Sequence, residues 1–156
     1  MESAMTQTAW HTASEIVLSY KSRVKVSERP KITSSKETAD LLLQIWDDDK
    51  IDFVEQFKIL LLNQASRVLG FYDIATGGTS GVVADPKMIF AAAIKANAPR
   101  IIISHNHPSG DVTPSVSDQI ITRNIKQGGL LFEIHLVDHI IVSSEGYYSF
   151  ADEGLL

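Results

Sequence analysis

The stretch RIIISHNHPSGDVTPSVSD, residues 100–118, decides the fold of this chain because it leads from a buried strand through a sharp turn into a helix. The run RIIIS (100–104) is short and apolar at its centre, which is typical of a central strand covered on both faces. Proline, serine and glycine at 108–110 then turn the chain. A helix is predicted over 115–127, ended by the glycine pair at 128–129.

The sequence on either side of this stretch predicts further strands and helices in mixed order. Two helix starts carry capping residues: Ser34 with Glu37 three residues later, and Asp85 followed by Pro86. The predicted helices cover 38–46 and 86–97, and the predicted strands cover 55–62, 68–74, 82–83, 131–137, 140–143 and 147–150, after one or two extended stretches over 15–26. Strands interspersed with helices indicate an α/β (α+β) fold, with a mixed β-sheet flanked by helices.

Size and composition narrow the class of protein. A chain of 156 residues with 44% hydrophobic and 21% charged residues suits one globular domain. It contains no cysteine, which excludes cysteine-ligated metal sites and leaves His, Asp and Glu as metal ligands. No apolar run approaches the roughly eighteen residues of a membrane span, and MESAMTQTAW lacks a secretory signal pattern. We therefore expect no membrane partner and a cytoplasmic location.

The charge balance bears on nucleic acid as a partner. The formal net charge is −5, which disfavours non-specific binding to DNA because such binding depends on many Lys and Arg contacts to phosphates. Five basic residues do cluster in the N-terminal part of the chain, and we interpret this cluster as a charged, solvated edge strand. These residues are Lys21, Arg23, Lys25, Arg29 and Lys31.

The most informative side chains are two histidines at the end of the apolar strand. His105 and His107 are two residues apart, so strand alternation places both imidazoles on the same face. Asp118 lies in the first turn of the next helix, which can fold back over the strand end. Two histidines and one carboxylate are a ligand set of catalytic zinc that leaves a fourth position for water. On spacing alone, however, Ser115 and Asp118 equally match a helix-capping pair, and Asp111 competes as the third ligand.

The whole string resembles the signature of the JAMM (also JAB or MPN+) metalloprotease superfamily: His-x-His, seven residues, Ser, two residues, Asp. The four positions of that signature are occupied by His105, His107, Ser115 and Asp118. The surrounding HNHPSG, the following Thr122 and the later DHIIV at 138–142 resemble the RadC branch of this superfamily.

The resemblance covers residues 33–154 and implies a JAB/MPN (cytidine-deaminase-like) architecture. We accordingly predict a RadC-like domain over 33–156, preceded by an extension over 1–32 with one or two strands. Two features depart from the RadC pattern. Residues 1–32 are too short for its N-terminal helix-hairpin-helix region, and its usual Pro-Arg appears here as Pro86-Lys87.

The resemblance also implies an activity and a cofactor. It implies one zinc ion per chain on His105, His107 and Asp118, and hydrolysis of a peptide or isopeptide bond in a peptide or protein substrate. It places a general acid/base at Glu55, and the Ser115 hydroxyl is expected to stabilise the oxyanion. The local pattern agrees, because Glu55 begins an otherwise apolar strand face where an unpartnered carboxylate would be costly. The alternative for Glu55 is a strand-end carboxylate that simply reaches solvent.

Two other functions stay open. The RadC branch bears a DNA-repair name, so action on or near DNA is one alternative, although the acidic charge disfavours it. The other is a non-catalytic MPN-type interaction module, since several superfamily members lack the ligands that are all present here. A zinc deaminase is excluded because its metal site requires cysteines. Outside the signature, His139 is expected to hydrogen-bond in or near the core.

Overall fold

The fold is a five-stranded mixed sheet with helices on both faces, as predicted. The computed structural model describes residues 13–17, 19–78 and 81–156. Its strands are β1 (Gln56–Leu62), β2 (Val68–Thr76), β3 (Arg100–Asn106), β4 (His135–Val142) and β5 (Tyr147–Ser149). Its helices are α1 (Ser35–Ile45), α2 (Pro86–Lys95) and α3 (Val116–Leu131), with a one-turn 3-10 helix at Val26–Glu28.

Strand β3 lies in the middle of the sheet, whose order is β2-β1-β3-β4-β5. It pairs antiparallel with β1 and parallel with β4. Its alternating side chains enter two cores: Ile101 and Ile103 pack with α2 and α3 on one face, and Ile102 packs with α1 on the other. Burial on both faces explains why this strand is apolar without alternation, and the prediction of a central strand is confirmed.

Both predicted helix starts are confirmed. The Ser34 side chain accepts a hydrogen bond from the Glu37 N–H, and the Asp85 side chain accepts one from the Lys87 N–H at the start of α2. Each cap satisfies a backbone donor that has no partner inside its helix. None of the described helices is both long and apolar enough to cross a membrane.

The prediction that the glycine pair ends α3 is wrong, because the helix continues through it to Leu131. A Cβ on Gly129 would lie 2.2 Å from the Ile134 carbonyl oxygen, and one on Gly128 would lie 3.0 Å from the Phe90 ring. The chain returns directly over this turn of the helix, with the Ile134 N–H donating to the Gly129 carbonyl. Gly129 therefore permits a close approach between two backbone segments, and Gly128 makes room for the Phe90 ring, instead of ending the helix.

We expect Gly129→Ala to lower the free energy of unfolding by about 1–3 kcal/mol, the usual cost of overpacking. The loss should appear although alanine favours helix by about 1 kcal/mol, because the backbone of Ile134 has to move. Urea unfolding measures it. The control is Gly128→Ala, whose methyl group meets only a partly buried ring, and an equal loss in both variants would contradict this account.

Three further predictions about strands are corrected. Residues 131–143 form the end of α3 and one continuous strand, β4, instead of two strands, because pairing along β3 carries β4 through Asp138 and His139. Residues 82–83 form no strand and lead directly into the cap of α2. Among described residues 13–17 and 19–32 there is no strand either: this part is mostly exposed, with an isolated bridge between Lys31 and Arg67.

Candidate metal centre

Strand β3 delivers both histidines to one face of the sheet at its carboxyl end. His105 is buried and lies opposite Phe57 of β1, with the two rings stacked 5.9 Å apart between centroids. His107 follows the strand and points the same way, so that the two Nε2 atoms are 3.0 Å apart. The alternation argument from the sequence therefore places the two imidazoles correctly.

Helix α3 brings Asp118 to the histidine pair. Asp118 Oδ1 lies 3.1 Å from His105 Nε2, and Oδ2 lies 3.6 Å from His107 Nε2. Within the described parts of the chain, these three residues are the one group of His, Asp or Glu whose ligand atoms converge, all within 4.8 Å of one another. A metal ion could be held here.

The helix-capping alternative for Ser115 and Asp118 is also present. Asp118 Oδ2 accepts hydrogen bonds from the Ser115 N–H and hydroxyl, each at 2.7 Å, while the Asp118 N–H donates to Ser115 Oγ at 3.1 Å. This reciprocal capping box fixes the carboxylate. The cap occupies Oδ2, whereas Oδ1 is directed at His105, so capping and ligation use different oxygens of one side chain.

The structure distinguishes between Asp111 and Asp118, the two candidates for the third metal ligand. The Asp111 side chain accepts from the Thr113 N–H at 2.9 Å and is not part of the cluster. Its carbonyl oxygen lies 2.7 Å from His107 Nδ1. Since a carbonyl only accepts, His107 carries a proton on Nδ1, and in the neutral ring the Nε2 atom keeps its lone pair.

The donor set fits a tetrahedral metal ion. Zinc–nitrogen distances of about 2.0–2.1 Å place two ligand nitrogens roughly 3.3 Å apart in a tetrahedron. The Nε2–Nε2 distance of 3.0 Å and the Nε2–Oδ1 distance of 3.1 Å are close to that edge. Two imidazoles and one carboxylate also leave one coordination position for water or substrate.

Glu55 lines the same cavity as the cluster. It immediately precedes β1, is half-buried, and with His105 and Asp118 borders a cavity of about 200 Å³. The Val82 backbone, in the segment where a strand was predicted, also borders this cavity and favours the ionised form of the carboxylate. Burial raises the pKa of Glu55, and the nearby His105 and His107 oppose that rise. The Glu55 carboxylate is thus close enough to the histidines for their charge to affect its pKa, and it is partly open to solvent.

Asn106 has a role that the sequence did not reveal. Strand alternation turns its buried side chain to the face opposite the two histidines. There its Oδ1 accepts from the Gln56 N–H at 2.7 Å, and its Nδ2 donates to the carbonyls of Ile51 and Val54 at 2.7 and 2.9 Å. One amide therefore fixes the segment that carries Glu55 relative to the ligand strand. The polar residue between two ligands was the available signal.

Charge interactions tie the cluster together. Burial disfavours the ionised form of Asp118, but the adjacent imidazoles of His105 and His107 and the Ser115 hydroxyl outweigh burial and hold its pKa well below the usual range. The nearby Asp118 carboxylate in turn raises the pKa of His107, although burial opposes the rise. The three side chains thus behave as one electrostatic unit.

A second layer of polar side chains lies behind His105. Its Nδ1 is 2.9 Å from Nε2 of His139, whose Nδ1 is 2.6 Å from the Thr122 hydroxyl. That hydroxyl donates to the Asp118 carbonyl at 2.6 Å. His139 is fully buried, and burial holds its pKa well below the ordinary value for histidine. The expectation that His139 hydrogen-bonds in the core is confirmed.

A mixed sheet between helices, with a His–His–Asp cluster where its central strand meets a helix start, defines a JAB/MPN-type domain with its candidate metal ligands in place. The chain belongs to the RadC-like JAB domain family, whose model matches residues 32–155.

Individual relatives agree with this assignment. The chain is 35% identical over 125 residues to a UPF0758 protein of Flavobacterium johnsoniae, covering 80% of this chain and 53% of that protein. It is 42% identical over 126 residues to a UPF0758 protein of Clostridium beijerinckii, covering 81% and 54%, and 43% identical over 102 residues to one of Thermotoga maritima, covering 65% and 46%. The chain thus spans about half the length of these curated relatives, whose names state no activity.

Proposed function

We propose that this chain binds one zinc ion through His105, His107 and Asp118 and hydrolyses peptide or isopeptide bonds. The observation that carries the proposal is the convergence of two imidazole nitrogens and one carboxylate oxygen beside a cavity that His105, Asp118 and Glu55 line. When bound at such a site, zinc supplies a nucleophile by lowering the pKa of a coordinated water towards neutrality.

Glu55 is the general base of this proposal. A carboxylate with a raised pKa both accepts a proton from water and returns it to a leaving nitrogen near neutral pH. Burial raises the pKa of Glu55 in this direction.

We assign oxyanion stabilisation to the Ser115 hydroxyl. In the structure this hydroxyl donates to Asp118 Oδ2, so donation to substrate requires it to rotate. The Ser115 N–H makes a second hydrogen bond of equal length to the same oxygen. Rotation of the hydroxyl therefore leaves Asp118 capped, and the backbone donor keeps the carboxylate in place.

Elemental analysis together with a cleavage assay tests the proposal. Protein purified without chelators should contain close to one zinc ion per chain, and it should cleave members of a pooled library of linear and lysine-isopeptide substrates, followed by mass spectrometry. Removal of the metal with a chelator should abolish cleavage, and added zinc should restore it. Protein without metal or cleavage would favour the non-catalytic module, whereas plasmid binding or cutting at moderate salt would favour the DNA alternative.

Zinc affinity should fall as the pH is lowered below neutrality. Zinc binds the unprotonated imidazole, so protons compete with the metal. Because the pKa of His107 is raised above 6.5 in the metal-free protein, competition begins at a higher pH than for an unperturbed histidine. The measurement is the zinc dissociation constant between pH 6 and 8, obtained with a chromophoric competitor. If the zinc affinity did not change between pH 6 and 8, the assignment of His107 as a ligand would be contradicted.

A further inference from the structure

The buried chain of hydrogen bonds behind His105 has a fixed direction. Thr122 Oγ1 lies 2.6 Å from the Asp118 carbonyl oxygen and 2.6 Å from His139 Nδ1. A carbonyl oxygen only accepts, so the single hydroxyl proton of Thr122 is donated to it. The same hydroxyl oxygen must then accept from His139, which places a proton on His139 Nδ1.

The direction continues through the two rings. A neutral imidazole carries one proton, so with its proton on Nδ1 the Nε2 atom of His139 is an acceptor. His105 Nδ1 lies 2.9 Å from this Nε2 atom and must donate to it. His105 therefore has its own proton on Nδ1 as well, and its Nε2 lone pair points towards His107 and Asp118.

We propose that Thr122 and His139 are positioning residues that set the tautomer of His105, so that its Nε2 atom is ready to bind a metal ion. The backbone carbonyl of Asp111 does the same for His107. In both histidines a hydrogen bond to Nδ1 thus leaves Nε2 free to bind before a metal arrives. The metal-binding consequence rests on the proposed function, whereas the tautomer itself does not.

Packing supports the two rings in this arrangement. His139 stacks on Phe150, with centroids 4.6 Å apart and planes 13° from parallel, and His105 stacks on Phe57. His139 and Thr122 are both buried, so water does not compete for their hydrogen bonds. The chain of hydrogen bonds ends on the backbone carbonyl of Asp118. It therefore links the tautomer of His105 to the helix turn that carries Asp118.

Thr122→Val and Thr122→Ser are a matched pair that tests the proposal. Valine keeps the shape of threonine but removes the acceptor for His139 Nδ1, which frees His139 to protonate Nε2 and to force the opposite tautomer on His105. We expect Thr122→Val to weaken zinc binding by about 10–100-fold, the usual effect of losing a group that supports a ligand. Serine keeps the hydroxyl, so Thr122→Ser should retain the wild-type affinity.

Nitrogen-15 NMR of the histidine side chains gives the second measurement, on metal-free protein. In the wild type and in Thr122→Ser, His105 should show a protonated Nδ1 and a bare Nε2, and in Thr122→Val this signature should be lost. A wild-type His105 protonated on Nε2 would overturn the proposal even if the valine variant failed to fold. Equal loss of zinc affinity in both variants would overturn it too, because packing would then be the cause.

These measurements separate the two proposals. A protein that shows the expected tautomer but cleaves no substrate would refute the hydrolase and leave the positioning role intact. A protein that cleaves substrates but carries the other His105 tautomer would do the reverse.

Discussion

Glu55→Gln is expected to keep one zinc ion per chain while lowering turnover by about a hundredfold or more, the scale of a lost general base. Glutamine has nearly the same shape as glutamate and fits the same half-buried position before β1. It cannot take a proton from water near neutral pH, so binding survives and proton transfer does not. Turnover and bound zinc should be measured on the same preparation, the metal by elemental analysis.

The matched control for this variant is Glu145→Gln. Glu145 is exposed and lies next to the turn at 108–110 that follows the histidines. Its carboxylate is 3.4 Å from where a Cβ on Gly110 would be. The control removes the same charge near the loop without touching the cavity, and it should retain activity. If zinc content fell with activity in Glu55→Gln, Glu55 would be a ligand or a structural residue instead of the base.

Asp118→Asn is expected to lose both zinc and activity. Asparagine can still accept from Ser115 at the start of α3, so the helix cap survives. The anionic oxygen that faces His105 is replaced, and the metal loses its only charged ligand. The fall in affinity should exceed the roughly 10–100-fold loss typical of a supporting residue. Competition with a chromophoric chelator measures it, and circular dichroism confirms that the variant is folded.

Asp111→Asn is the control for the third ligand. The Asp111 side chain only caps the Thr113 N–H, and its backbone carbonyl, which holds His107, is unchanged by the substitution. Zinc affinity should therefore stay at the wild-type value. If Asp118→Asn kept its zinc and Asp111→Asn lost it, Asp111 would be the third ligand in place of Asp118, and the proposed centre would be refuted.

Features of the site that depend on local rules could be predicted from the sequence. The alternation of a strand put His105 and His107 on one face, and the Ser115–Asp118 spacing predicted the cap that fixes the carboxylate. Strand β3 was recognisable because burial on both faces requires an apolar run. In each case the controlling interactions lie within a few residues along the chain.

Other features were decided by contacts between distant segments. The glycines at 128–129 resemble a helix end, yet the helix continues through them and Gly129 allows the Ile134 backbone to cross the helix closely. Residues 131–143 resemble two strands, yet the neighbouring β3 holds their second half in one continuous strand. In both places a tertiary contact outweighs the local preference.

The sequence by itself predicted the class of fold, the residues proposed as metal ligands and the three helix caps, because periodicity and capping act over one or two turns of chain. Only the tertiary structure decided which backbone groups Asn106 binds and which side chains lie behind His105. Those choices depend on hydrogen bonds between residues 17 to 55 positions apart, and no local pattern specifies such partners.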